Sequence, residues 1–173
     1  MRIENRESKI ENPRLWRSSG FSLIEVLIAA VLVGLAVAAL LGASRSLTMA
    51  NASGADLSTA EFLIEQIREL TTLLPVIDPQ TGTATFGHEE TGLANYDDLD
   101  DFDGANFSPP ISADRAVLSN LAGFSQQVTV ENVNAANFEQ VAADHSSNFV
   151  RVTVKVFLNL REISSVSWIR ARY

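Results

Sequence analysis

The sequence contains no cysteine. This absence excludes disulfide bonds, thiolate catalysis and cysteine-ligated zinc. Any folded part of the chain must therefore be held together by side-chain packing, or by a metal bound through other ligands. The residues left after the apolar segment described below suffice for one small core.

Residues suited to catalysis are also scarce. The two histidines, His88 and His145, lie far apart in the sequence. The sequence has no residues at the spacing of a zinc site. It also lacks a nucleophile elbow, a phosphate-binding loop and a dinucleotide-binding glycine pattern. We therefore interpret the chain as a protein that is not an enzyme and requires no cofactor.

Positive charge is in short supply. The 13 lysines and arginines face 21 aspartates and glutamates, which gives a formal net charge of −8. Within the first 20 residues, however, basic side chains outnumber acidic ones, and the rest of the chain is near −10, with 8 basic and 18 acidic residues. An acidic chain lacks the basic surface that binds nucleic acid, so no nucleic acid partner is expected.

What the sequence does have is one long apolar segment. No charged residue occurs from Val26 to Ala43, and the apolar run continues upstream through Phe21, Leu23 and Ile24. Glu25 is the one charged residue of the segment. As a helix, residues 21–43 would be roughly 35 Å long, enough to cross a bilayer. A carboxylate costs about 2.5–3.5 kcal/mol at full bilayer depth and less near the interface, so Glu25 needs a partner.

Cleavage after Gly20 would supply that partner. The new α-amine on Phe21 would lie one helical turn from Glu25, on the same face of the helix. Two other interpretations are an ordinary secretory signal, cut near Ala43-Ser44-Arg45, and a plain signal anchor. The first places the cut after the apolar segment, and the second needs no cut.

The residues at this junction read Gly20-Phe21-Ser22-Leu23-Ile24-Glu25 and are followed by about 20 apolar residues. This pattern resembles the prepilin signature of type IV pilins and of type II secretion pseudopilins. The resemblance implies that a prepilin peptidase cuts after Gly20 and methylates the amine of Phe21. It also implies that Glu25 pairs with the N-terminal amine of a neighbouring pilin or pseudopilin subunit during assembly.

The resemblance and the charges together predict a location. The basic leader keeps the N-terminus in the cytoplasm and directs the C-terminal part across the membrane. We expect a single-pass protein of the bacterial inner membrane that is then assembled into a pilus or pseudopilus.

The pattern along the chain predicts an α+β fold. We expect a leader over residues 1–20, a membrane helix over 21–43 and an amphipathic helix over 44–74. A weak point is expected at Asn51–Gly54, and Pro75 ends the helix. The remaining residues, 75–173, form the head, with a loop region over 75–123 and antiparallel strands over 124–173.

Individual elements of the head are also predicted. Within the loop region, Ala113 to Leu121 is expected to form a short helix capped by Ser112. Alternating valines indicate strands over 128–133, 148–157 and 161–169, and a short strand over 138–141 is a further candidate. The turn between the second and third strands falls at 158–160, and the sheet is expected to pack on the amphipathic helix.

A block of aspartates in the loop region is the second distinctive feature. The acidic loop, residues 96–104, contains five of them: Asp97, Asp98, Asp100, Asp101 and Asp103. Oxygen ligands before a glycine suit calcium, although the spacing does not match an EF-hand loop. Glu89 and Glu90, beside His88, are further candidate ligands. The alternative is a solvated surface loop.

The same loop carries a finer resemblance. The residues Phe86-Gly87-His88-Glu89, the acidic loop and the ending Trp168–Tyr173 are similar to the D-type minor pilins of mannose-sensitive haemagglutinin pili. The resemblance implies a subunit that primes or caps a pilus. A rival hypothesis is a membrane-anchored periplasmic or surface module, whose acidic loop binds calcium or a basic partner outside any filament.

Overall fold

The computed structural model describes residues 20–80, 82 and 85–172. The chain divides into two compact units, with the boundary between Leu47 and Thr48. Except for Gly20, the predicted leader lies outside the described residues. The first unit is helical throughout its described part beyond Ser22, and the second contains the rest of that helix and a sheet.

A single helix, α1, extends over Leu23–Thr71. It passes through residues 51–54 without interruption, so the predicted weak point does not break the helix. One glycine costs about 1 kcal/mol relative to alanine in a helix interior. Burial of the C-terminal part of the helix in the core of the second unit offsets this cost.

The helix ends at Thr71, three residues before the predicted position. The hydroxyls of Thr71 and Thr72 donate to the carbonyls of Ile67 (2.8 Å) and Arg68 (2.6 Å). The guanidinium of Arg170 donates to the carbonyls of Thr71 (2.7 Å) and Leu74 (3.1 Å). These donors satisfy carbonyls that the end of a helix leaves without partners, and the positive charge suits the helix C-terminus.

Five strands follow among the described residues, and every pairing between them is antiparallel. The strand order is β1-β2-β4-β5, and β3 also pairs with β2. Two residues, Asn159 and Leu160, connect β4 to β5 with φ values of 49° and 69°, as the turn of a tight hairpin requires. The strands are β1 (Asn106–Phe107), β2 (Phe124–Asn134), β3 (Asn137–Val141), β4 (Phe149–Leu158) and β5 (Arg161–Ala171).

The predicted α+β fold is confirmed. In β4 the residues at alternate positions are buried, as the valine pattern predicted, and they are Val150, Val152, Val154 and Val156. The short candidate strand is β3, paired to β2 beyond an irregularity at Val133 and Asn134. Sequence analysis missed β1, because a two-residue strand has no periodicity to read.

The predicted helix over 113–121 is wrong. The chain turns back at Arg115, whose φ of 67° is left-handed and whose amide donates to the carbonyl of Ser112 (2.9 Å). Ile111 and Val117 then form an antiparallel bridge. The side chain of Arg115 fixes this turn, because its guanidinium donates to carbonyls about 20 residues earlier, those of Leu93, Ala94 and Tyr96, at 2.9, 2.8 and 2.6 Å.

The core of the second unit lies between α1 and the sheet. One face of the helix contributes the buried residues Ala60, Leu63, Ile64 and Ile67, which pack with the inward valines of β2 and β4. A buried glutamine, Gln126, lies in this core. Its amide nitrogen donates to the carbonyls of Leu63 (2.8 Å) and Ile111 (3.2 Å), and its oxygen accepts from the amide of Ile111 (2.8 Å).

We expect Gln126→Leu to lower the free energy of unfolding by about 2–4 kcal/mol, because buried backbone groups of Ile111 lose their partners. Gln127→Leu is the matched control, since Gln127 is the neighbouring residue on the exposed face of β2. Urea unfolding of the detergent-solubilised chain, followed by circular dichroism, measures both variants. Equal effects would show that the buried glutamine has no special role.

Candidate functional site

The first candidate site is the start of helix α1. Gly20, Phe21 and Ser22 are not helical, and α1 begins at Leu23. The amide of Ser22 donates to Oε2 of Glu25 (3.2 Å), and the amide of Glu25 donates to Oγ of Ser22 (3.3 Å). The Ser22 hydroxyl lies 3.4 Å from the same Oε2. This reciprocal arrangement is a capping box.

The capping box changes the interpretation of Glu25. The carboxylate has a partner within its own chain, near the positive end of the helix dipole, where a negative charge is favourable. Both of its hydrogen bonds use Oε2, and within the described residues Oε1 accepts none. The sequence pattern could have predicted this capping box, since Ser-x-x-Glu before an apolar run is typical of one. Sequence analysis considered only the α-amine as a partner.

The apolar part of α1 is exposed all around. The side chains of Leu27, Val31 and Leu35 are 54%, 54% and 63% exposed, and those of Leu40 and Leu41 are 70% and 66%. In its length and composition α1 could cross a membrane, and within the described part of the chain it is the one helix that meets this test. A helix that is apolar on every side needs lipid or other apolar helices around it.

An N-terminal helix that is apolar at its start and packed on a small antiparallel sheet near its end is a pilin-like arrangement. Residues 17–41 match the family model described as the prokaryotic N-terminal methylation motif. The start of the chain therefore has the motif of a type IV pilin-like prepilin, and Gly20, Phe21 and Glu25 lie inside the matched segment. Pilins with this motif are structural subunits. No curated protein and no solved structure matches the chain.

The second candidate site is the acidic loop, which is largely buried. Asp98, Asp100 and Asp101 are 1%, 1% and 0% exposed. Asp103 has a separate role, because its Oδ1 accepts from the amide of Val130 (2.8 Å) and so ties the loop to β2. The prediction of a solvated surface loop is therefore wrong for most of these carboxylates. The loop contains a short 3₁₀ turn over Asp100–Phe102, and all three residues of this turn are buried.

Backbone amides hold one oxygen of each buried aspartate. Oδ1 of Asp98 accepts from the amide of Asp101 (3.1 Å), and Oδ2 of Asp100 accepts from the amide of Gly87 (3.2 Å). Oδ2 of Asp101 accepts from the amides of Asp97 (2.9 Å) and Asp98 (3.4 Å). In the described residues the second oxygen of Asp98, of Asp100 and of Asp101 is buried without a hydrogen-bond donor.

Burial raises the pKa of Asp98 to about 8, and its neighbours Asp100 and Asp101 add to the shift. Burial also raises the pKa of Asp100. A proton shared between Asp98 and Asp100 accounts for the two oxygens that have no donor. The ion pairs of the second unit involve Glu65, Glu131 and Glu162. Hence no basic side chain among the described residues neutralises the loop.

The structure brings five of the predicted ligands into two groups, and Asp100 and Asp103 belong to neither. One carboxylate oxygen from each of Asp78, Asp97 and Asp98 lies within 4.8 Å of the others, and the same holds for Glu89, Glu90 and Asp101. Sequence analysis did not include Asp78, which lies 19 residues before Asp97. It named Glu89 and Glu90 only for their position beside His88.

The remaining aromatic and histidine candidates are structural or peripheral. Trp168 packs on the core from β5, with the guanidinium of Arg68 4.8 Å from its ring centre. His88 is exposed and lies edge-on to Tyr96, whereas His145 is half-buried with Nε2 2.7 Å from the carbonyl of Thr85. The two histidines contact different partners.

We expect Asp98→Asn to stabilise the metal-free protein at pH 8 by several degrees in Tm and to change it little at pH 4. Below about pH 4 the carboxyl is protonated in both states. Between pH 4 and 8 folding must take up a proton, so the stability of the wild type falls as the pH rises. The amide cannot ionise and keeps the oxygen that accepts from Asp101.

Thermal unfolding in EDTA across this pH range measures the effect. Asp144→Asn, at an exposed aspartate outside the loop, is the control. A wild type and an Asp98→Asn variant with the same pH dependence would contradict a raised pKa at Asp98.

Proposed function

We propose that the chain is the precursor of a structural subunit, a minor pilin or a pseudopilin, in a type IV pilus or type II secretion-like filament. The observation that carries the proposal is the methylation motif at residues 17–41, placed at the start of an exposed apolar helix. In this proposal a prepilin peptidase hydrolyses the Gly20–Phe21 bond. The same enzyme methylates the freed amine of Phe21.

The surroundings of Gly20 support a role in recognition by that enzyme. A Cβ built on Gly20 meets no described atom within 4 Å. Packing within the described residues therefore gives no reason for glycine at this position. A close approach by a peptidase active site is the kind of constraint that demands the smallest residue.

The geometry of Glu25 supports a role in assembly. Its Oε2 is engaged in the capping box, and Oε1 accepts no hydrogen bond from a described residue. One carboxylate can therefore cap its own helix and accept the methylated amine of a neighbouring subunit. A charged hydrogen bond of this kind is strong in an apolar environment, which favours a single register between the two helices.

The apolar helix fits the two environments of such a subunit. In the inner membrane it would span the bilayer once, with the leader in the cytoplasm and the head outside. In the filament, the apolar helices of neighbouring subunits would replace lipid as its surroundings.

The finer assignment, a minor subunit similar to the D-type of mannose-sensitive haemagglutinin pili, is part of the proposal and rests on the sequence resemblance alone. A second candidate function is a membrane-anchored binding module, which the buried acidic loop favours. The two differ in processing, because an anchor retains its N-terminus.

We expect the protein extracted from the membranes of its native host to begin at N-methylated Phe21. Intact mass and N-terminal sequencing measure this. Gly20→Leu should block processing because the side chain obstructs the peptidase, whereas Gly20→Ala should retain part of it. A wild-type chain that still begins at Met1 in cells with an active prepilin peptidase would contradict the proposal and favour the anchored module.

We expect Glu25→Gln to leave cleavage intact and to reduce incorporation into filaments at least tenfold. The amide oxygen preserves the cap on Ser22, but the charge that pairs with the amine is lost. Ser22→Ala is the matched control, because it weakens the cap and keeps the charge. Quantitative immunoblots of sheared filaments and of membranes measure both. Normal incorporation of Glu25→Gln would rule out the pairing role.

A further inference from the structure

Three carboxylates converge beside the acidic loop, and one of them is fully buried. One oxygen each of Glu89, Glu90 and Asp101 lies within 4.8 Å of the others. Asp101 is 0% exposed, and its Oδ1 is buried without a donor in the described residues. A buried carboxylate oxygen is normally hydrogen-bonded or bound to a cation.

The loop geometry holds these groups together. The amides of Asp97 and Asp98 bond Oδ2 of Asp101, which leaves Oδ1 as the oxygen without a donor. The bond from the amide of Gly87 to Asp100 ties the preceding segment to the loop, two residues before Glu89. The carboxylates are therefore positioned by the backbone of two segments.

A second oxygen of the group also lacks a hydrogen-bond donor. Oε2 of Glu90 is buried without one in the described residues. No lysine or arginine in the described part of the chain forms an ion pair with Glu90 or Asp101.

The ligand chemistry selects the cation. All three side chains offer oxygen, whereas structural zinc sites in proteins prefer nitrogen and sulfur. Calcium takes six to eight oxygens in a flexible geometry, and carboxylates can bind it through both oxygens. Magnesium demands near-ideal octahedral geometry and keeps most of its water. Glu89 and Glu90 are half-buried, so solvent ligands can complete the shell.

We propose that Glu89, Glu90 and Asp101 form a calcium site that fastens the segment before the acidic loop to the loop itself. The second group, Asp78, Asp97 and Asp98, is already satisfied in part. Oδ1 of Asp78 accepts from the amide of Gln80 (2.6 Å), and Oδ2 of Asp97 accepts from its side-chain amide (3.0 Å).

The test is thermal unfolding of the full chain in detergent, after removal of metal by a chelator. We expect 2 mM calcium chloride to raise Tm by several degrees over EDTA, and 2 mM magnesium chloride to raise it less than half as much. A ligand that binds only the folded state must stabilise it. An unchanged Tm in calcium would overturn the proposal.

Variants locate the ion. Glu90→Gln should lose most of the calcium-dependent rise in Tm, whereas Asp97→Asn, in the second group, should keep it. Folding of Glu90→Gln is checked by its Tm in EDTA, which should equal or exceed that of the wild type because one buried negative charge is gone. A rise that Asp97→Asn abolishes and Glu90→Gln retains would place the ion in the second group and overturn the assigned ligands.

A direct readout uses terbium as the probe. Tyr96 lies near the proposed ligands, since the amide of the next residue, Asp97, donates to Oδ2 of Asp101. Terbium bound at this site should therefore give luminescence sensitised by Tyr96 that calcium displaces. Tyr96→Phe should lose most of the luminescence but keep the calcium-dependent rise in Tm. Sensitised luminescence of equal strength in Glu90→Gln would contradict the assignment.

Discussion

The second unit depends on the burial of one face of helix α1 against the sheet. Ala60, Leu63, Ile64 and Ile67 are at most 1% exposed, and valines of β2 and β4 cover them. A chain without cysteine has no covalent link between the helix and the strands. At about 1.5–3 kcal/mol for each large apolar side chain buried, this contact supplies the stability that allows the intervening loops to be ordered.

Those loops are attached to the core by side chains that bond backbone carbonyls. Arg170 bonds the end of α1 from β5, and Gln126 bonds both the helix and Ile111. Arg115 bonds two carbonyls before the acidic loop and the carbonyl of Tyr96, its first residue. Backbone groups in a loop lack the hydrogen bonds of regular secondary structure, and each of these side chains supplies some of them. The acidic loop can bury its aspartates only because these bonds fix the loops. The backbone amides that bond the aspartates must be held in place.

Periodicity alone predicted the helix and the long strands. The alternating valines of β4 and the spacing of Leu63, Ile64 and Ile67 reflect contacts that every residue makes with the same core, so the signal repeats along the chain. The turn at Arg115 could not be predicted, since it depends on carbonyls some 20 residues away. The proximity of Asp78 to Asp97 could not be predicted either, because it depends on contacts between segments that lie far apart in the sequence. The capping box was readable, because both of its residues lie within one turn.

The capping box has a consequence for maturation. Among the described residues, the hydrogen bonds of the capping box are made by Ser22 and Glu25, and none of them involves Gly20. Removal of the first 20 residues would therefore leave these bonds in place. The bond between Gly20 and Phe21 precedes the helix in irregular, exposed backbone, where a protease can act without unwinding it. In the proposed maturation, cleavage would be a purely covalent event: the chain would lose its leader and gain an amine, and the start of α1 would keep these hydrogen bonds.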